Sequence, residues 1–474
     1  MKKIVSVLLL LAMILALSVS FSACTDGEQN EPGTKAESVE NTKEPEETTK
    51  EPEVTTEEPK ETTKEPEVTT EEPEVTTTEP EVTTEEPKVT TEEPEVTTEE
   101  PEETTKEPEE IKGSEGLAYE LLDNGTYSVS RGTALRYTTD IVIPPVYNDV
   151  PVTEIGFRAF AAFNPRPGEE EFPEMTSIYI PDSIVSIGED AFTCCTELTS
   201  IDIPSSVTSI GDYAFSECIG LNSIIIPTGV TNIGDGVFEG CTALTSIVIP
   251  DGVTSIGDGL FERCTALTSI IIPDSVICIG DEAFSDCFSL TSIVIPDGVT
   301  SIGYESFFLC ENLTSIVIPS SVTSIGVFSF NGCSSLTELI VKEGNPVYHS
   351  AGNCLIETAS KTLIVGCQNS IIPADGSVTS IGETAFYLCD SLTSIVIPDG
   401  ISSIGEDAFA NCTDLTSIVI PNSVTNIGDD AFWGCSSLTD IYFTGSEAEW
   451  NAIEKEEDWN SDSTSCTIHF NYVP

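Results

Sequence analysis

Histidine is almost missing from this chain. It occurs only at His349 and His469, among 474 residues. Two isolated imidazoles supply neither a His-rich metal set nor the paired acid and base of most hydrolases. No H-E-x-x-H, no G-x-S-x-G and no phosphate-binding glycine loop is present either. An enzyme is not expected, and no cofactor or metal is expected. Positive charge is scarce too: 18 Lys and Arg stand against 81 Asp and Glu, a net charge of −63. That balance disfavours nucleic acid, heparin-like polymers and anionic lipid surfaces, and favours a protein partner with basic patches. Beyond the first 23 residues, no run approaches the roughly 20 apolar residues that a spanning helix needs.

Lys2 and Lys3 precede an apolar stretch over residues 4–19. This reads as a secretory signal peptide covering residues 1–23. It ends in Phe21-Ser22-Ala23-Cys24, which resembles the lipobox of bacterial lipoproteins. The resemblance implies that Cys24 becomes the lipidated N-terminus and ties the protein to the membrane. Phe21 departs from that family, which usually carries Leu there. Residues 24–112 form a Glu/Pro/Thr-rich stalk built on variants of EEPEVTT, with 30 Glu and 8 Lys over residues 31–112. With so few large apolar side chains it cannot form a core. Charge repulsion and proline extend it, so it should act as a spacer.

The abundant feature is a repeat. The stretch LTSIVIPDGVTSIGDGLFERCTA, from Leu244 to Ala266, is one copy of a 23-residue unit. Copies begin at Met175, Leu198, Leu221, Leu244, Leu267, Leu290, Leu313 and Leu336, and again at Leu392, Leu415 and Leu438. A fixed period of this length predicts a solenoid, since one unit cannot bury its apolar face alone. Leu244, Ile247 and Ile249 have the spacing of a leucine-rich strand. Pro250 ends it, because proline has no N–H for a ladder. Asp251-Gly252 turns the chain, and Val253 to Ile256 reads as a second short strand. Gly257 allows a tight corner, and Asp258 should cap a short helix containing Phe261. The fold class is therefore α/β: a β-rich leucine-rich-repeat solenoid with a parallel sheet and short helical turns on the other side. N- and C-terminal caps should close it. Stacking places Phe192, Phe215, Phe238, Phe261, Phe284, Phe307, Phe330, Phe386, Phe409 and Phe432 in one buried column.

Ten of the 16 cysteines form a parallel column, from Cys195 to Cys435. Neighbouring rungs lie ~4.7–4.9 Å apart with parallel Cα–Cβ vectors. A disulfide wants Cβ atoms about 3.8 Å apart. The column therefore reads as buried thiols, acting as small apolar residues. Cys354 and Cys367 lie out of direct register, and a bridge between them is not expected.

Three regions break the pattern. Residues 113–174 read as an N-terminal cap with an irregular first coil; Asn124-Gly125 there signals a hairpin, and residues 164–174 read as a surface insertion. The regular solenoid covers residues 175–437 with an insert near 345–370, where CLIE and TLIV read as a hairpin projecting from the stack. Residues 438–474 read as a C-terminal cap, with an amphipathic helix over residues 446–456 and a last strand near residues 466–470.

The LTSIVIP, VTSIG and AFxxC landmarks, with the pieces NPVYHSAGNCLIE and IYFTGSEAEWNAI, resemble the BspA-like leucine-rich repeat family of bacterial surface proteins. The resemblance runs from about Leu117 to the C-terminus. It implies a surface or secreted protein, and some members are adhesins for host matrix proteins. Fold alone does not transfer that function.

The fifth residue of each first strand should point outward between two buried ones. These residues are Tyr179, Asp202, Ile225, Val248, Ile271, Val294, Val317, Val396 and Val419. Stacked, they make an apolar ribbon, the expected partner-binding face; strand propensity alone would also explain Val and Ile there. The sequence thus points to a lipid-anchored, extracellular surface protein, an adhesin or receptor-like scaffold. Its partners would be proteins or glycans of the host or cell envelope. The other reading is a structural spacer without a specific ligand.

Overall fold

A computed structural model describes residues 112–132, 138–162, 175–456, 458–460 and 466–474. The leader, Cys24, all but the last residue of the stalk and the expected surface insertion at 164–174 lie outside the described residues.

Each 23-residue unit makes one coil, and where the strands of successive coils pair they do so in parallel with matching register. In the first strands Ser246, Ile247 and Val248 lie beside Ser269, Ile270 and Ile271. In the second strands Ser255 and Ile256 lie beside Cys278 and Ile279. Leu, Ile, Val and Phe at the landmark positions are buried, as the period requires. Between the strands the N–H of Val253 donates to the carbonyl of Pro250, 3.0 Å away, closing the Pro-Asp-Gly turn.

The phenylalanine rings stack in two runs, Phe160 to Phe330 and Phe386 to Phe432, not in the single column expected: the coil of the insert meets Phe386 with Gly366 rather than a ring. Their centroids lie 5.7 Å apart for Phe160–Phe192 and 5.2 Å apart for Phe284–Phe307, with interplanar angles of 13° and 10°. Phe160 extends the column by one coil. At the far end the ring of Trp459 meets Phe432 edge-on, at 6.0 Å and 89°.

The expected helical turns are not there. After the second strand the chain makes a chain of turns in which alternate N–H groups reach the next coil. Gly259, Phe261 and Arg263 donate to the carbonyls of Asp281, Ala283 and Ser285, at 2.8–2.9 Å. A helix would keep those hydrogens within its own coil. Two left-handed residues per corner produce the alternation: Asp190 and Cys194 in one coil, Glu282 and Asp286 in another. Asp258 accordingly caps no helix. Its carboxylate accepts the N–H of Asp281 one coil further on, at 2.8 Å, as Asp235 does for Asp258, at 3.0 Å. The corner glycine also has a different role from the expected one. Gly280 is not left-handed; a Cβ there would lie 2.7 Å from the backbone N of Asp258. Close approach of the coils, not φ, demands glycine.

The insert does not project. Cys354–Glu357 and Thr362–Val365 pair antiparallel as expected, but a third strand, Tyr348–Ala351, joins them. Thr362 and Leu363 then pair in parallel with Ser380 and Ile381 of the next coil. Leu355, Ile356 and Leu363 are fully buried, so the hairpin is a modified coil within the stack. Gly366 leaves space that the ring of Phe386 fills, 2.0 Å from where a Cβ would be. Across this irregular coil, Asn331 donates its amide to the carbonyls of Thr384, 2.7 Å away, and Tyr387, 3.2 Å away. The bond to Tyr387 replaces the one that a regular coil's N–H gives to the equivalent carbonyl, as Gly240 gives to Glu262.

At the start, Ala118–Leu121 and Tyr127–Ser130 form the expected hairpin, and the latter joins Val150–Ile155 in the second sheet. Near the end, the expected helix shortens to Glu447–Trp450, begun by a capping box between Ser446 and Glu449. It stops because Glu454–Lys455 return to pair with Asn426–Ile427. Trp450 and Ile453 are buried, as expected. Thr467–His469 adds the last strand beside Asp440–Phe443.

Candidate functional site

In a strand between two buried residues, the middle side chain has only one direction left. The first-strand segments therefore present one outward residue per coil; residues 291–296 pair in no ladder, yet Val294 still stands out between buried Ile293 and Ile295. Tyr179, Ile225, Val248, Ile271, Val294, Val317 and Val396 are exposed, from 37 % for Val317 to 82 % for Ile225, and Asp202 is exposed as well. Val419 departs from the expectation: it is only 9 % exposed. Its register neighbour is Tyr442, whose ring stacks on His469 at 4.7 Å and leans on Tyr472 at 4.7 Å. A bulky aromatic group beside a valine leaves little of the valine open to water.

The row runs further than the nine residues read from the sequence. Val142 lies beside Tyr179, Ile340 beside Val317, and Tyr442 and His469 complete the far end. Ile340 and Tyr442 stand 23 positions after Val317 and Val419, so the period itself carried that signal. Val142 and His469 fall outside the period and were not legible. At the near end, Tyr179 overlooks a depression of about 410 Å³ bounded also by Asp140, Asp182 and Asp202.

The two histidines each have a local partner. His349 Nδ1 lies 2.9 Å from Thr358 Oγ1. His469 Nε2 lies 2.6 Å from Asp440 Oδ1, and that hydrogen bond holds the Asp440 carboxyl below its ordinary range. They sit on different strands, within the insert and on the last strand. Among the described residues, no three His, Cys, Asp or Glu side chains converge as metal ligands would.

The cysteine column is chemically quiet. Cys218, Cys241, Cys264 and Cys287 donate their thiol hydrogens to phenylalanine carbonyls of the preceding coil, at 3.1–3.2 Å. Burial pushes these thiols up, and Cys333 to about 12. A thiolate nucleophile is therefore disfavoured. Cys389 differs, since its coil neighbour is Gly366, whose carbonyl it reaches at 3.7 Å.

The corner edge gathers carboxylates around one guanidinium. Arg263 Nη2 lies 2.9 Å from Glu217 Oε1 and also bonds Glu239. Burial, then Glu239 and Glu282, push Glu262 up to about 8. Burial likewise raises Glu239, Glu282 and Asp286. One cation cannot compensate so many stacked anions.

The repeat has counterparts among known proteins. The family model for the BspA type leucine-rich repeat region, in six copies, matches residues 170–287, 254–375 and 357–457. A leucine-rich cell surface protein from Faecalibacterium prausnitzii is 29 % identical; the match covers 73 % of this chain and 98 % of that one, with a TM-score of 0.49. A leucine-rich repeat protein from Bacteroides ovatus is 28 % identical, covering 75 % and 98 %, with a TM-score of 0.43. The pneumococcal vaccine antigen PcpA is 20 % identical, covering 76 % and 87 %, with a TM-score of 0.42. No curated protein matches significantly. With three overlapping family matches spanning residues 170 to 457, and coils whose registers advance by 23 residues, the chain belongs to the BspA-type leucine-rich repeat family.

Proposed function

We propose that this protein is a cell-surface binding protein, an adhesin or receptor-like scaffold, whose first-sheet face docks a protein or glycan partner. The observation that supports it most is the exposed apolar row from Ile225 to Val317. Contiguous apolar surface facing water is costly to keep and often marks an interface. The glutamate-rich stalk would hold that face away from the membrane, and Cys24 would carry the lipid anchor.

Two measurements test this. The purified chain is presented to immobilised host matrix proteins and cell-envelope glycans, beside a Val248→Glu/Val294→Glu/Val317→Glu variant. Binding that is lost in the variant, with its urea midpoint unchanged, supports the face; binding kept in full overturns it. For the anchor, Cys24→Ala should move the protein from the membrane fraction to the medium. A variant that stays with the membrane would refute lipidation at Cys24.

A further inference from the structure

Beside the apolar row runs an acidic one. Asp182, Asp251, Asp274, Asp297 and Asp399 each follow the proline that ends a first strand, and all are exposed. Each stands three residues beyond an outward side chain of the row, in the turn that follows the proline. The acidic row already attracts a cation of this chain: the Lys342 ammonium bonds the Asp297 carboxylate. Asp251 and Asp274 form no ion pair among the described residues.

Spacing then selects the shape of the occupant. Coils repeat every ~4.7–4.9 Å. An α-helix lying along the stack brings an apolar side chain round about every 5.4 Å. Over the three intervals from Val248 to Val317 it drifts by only ~2 Å. An extended segment repeats every ~6.6–6.8 Å on one face and drifts by ~5–6 Å, more than a full coil.

We propose that this face takes a basic amphipathic helix of a partner protein, laid along the stacking direction. Its apolar stripe rests on Val248, Ile271, Val294 and Val317, and lysines or arginines of one flank lie over Asp251 and Asp274. This rests on the docking-face reading above and specifies the partner.

The test uses the full chain and three labelled synthetic peptides of about 18 residues, enough for ~27 Å of helix. The first has an apolar stripe flanked by lysines, the second replaces those lysines with glutamates, and the third keeps the lysines but has serines in the stripe. Fluorescence anisotropy should detect binding of the first alone. Its affinity should fall at least tenfold with Asp251→Asn/Asp274→Asn, and should be lost with Val248→Glu/Val294→Glu. Equal binding of the first and second peptides overturns the proposal, as does equal binding of the first and third, which would mean diffuse attraction to an acidic chain. No saturable binding up to about 100 μM also overturns it. Binding that needs Val248 and Val294 but ignores the aspartates refutes the basic helix and leaves the docking face standing. Binding indifferent to all four positions refutes both.

Discussion

Cys264 gives its thiol hydrogen to the carbonyl oxygen of Phe238, 3.1 Å away on the preceding coil. The same oxygen accepts the N–H of Cys241, also at 3.1 Å. Both lone pairs of that carbonyl are thereby used. The pattern recurs from coil to coil, and it explains why the position holds cysteine rather than alanine. A small apolar residue is needed, and a weak donor fits beside it. Only the protonated thiol can donate, and burial keeps it protonated. Cys218, Cys241, Cys264, Cys287, Cys310, Cys333, Cys412 and Cys435 should therefore resist a thiol reagent in the native protein and react once it is unfolded. Titration with and without denaturant checks this; rapid native labelling of these positions, located by mass spectrometry, would contradict it.

Phe284 sits between Phe261, 5.5 Å away, and Phe307, 5.2 Å away, and is fully buried. Phe284→Ala removes a ring with packed neighbours on both sides. The expected loss is about 3–5 kcal/mol, visible as a lower urea midpoint. An unchanged midpoint would mean that the column does not hold the coils together.

Two glycines in neighbouring coils should behave differently. Gly280→Ala forces a methyl to 2.7 Å from the Asp258 backbone nitrogen, so the coils must part. Gly259→Ala, at φ +59°, meets only the Glu262 side chain, 3.5 Å or more away. It should cost about 1–2 kcal/mol for left-handed geometry. Gly280→Ala should be the more damaging. Thermal or urea unfolding of the two variants decides, and the opposite order would rule out close approach as the reason for the corner glycine.

The corner carboxylates set a pH dependence. Glu262 is raised from 4.5 to about 8, so the folded state holds this proton longer than the unfolded chain does. Its contribution is fullest below pH 4.5 and is lost as pH rises through about 8. Glu239, Glu282 and Asp286 shift in the same direction. The urea midpoint should be higher near pH 5 than above about pH 8. Glu262→Gln should raise the midpoint at the alkaline end and flatten the profile. A Gln variant with the same pH slope as the parent would show that Glu262 is not responsible.

Much of this molecule could be read from the chain because each residue's principal neighbour is its own equivalent 23 positions away. Periodicity in the sequence is then contact in space. It placed Phe284 between Phe261 and Phe307, put Leu, Ile and Val inside, set one column cysteine in each regular coil, and turned Val248 and Ile271 outward. It also located Cys354–Glu357 and Thr362–Val365, since alternation and a turn are local signals.

Contacts between coils decided what the repeat alone left open. The corner lacks a helix because the carbonyls of Asp281, Ala283 and Ser285 stand ready for the N–H groups of the coil before, and no single copy reveals that acceptor. Gly280 is required by the backbone of Asp258, and Val419 is covered beside Tyr442 and the aromatic groups stacked on it. The insert lies within the stack because Leu355, Ile356 and Leu363 have apolar surface to bury and the coils on either side to bury it against. The sequence determined the period, the buried columns and the outward row. The tertiary structure decided where the hydrogen bonds between coils go and which outward residues remain open, because both depend on groups that meet only when the coils are stacked.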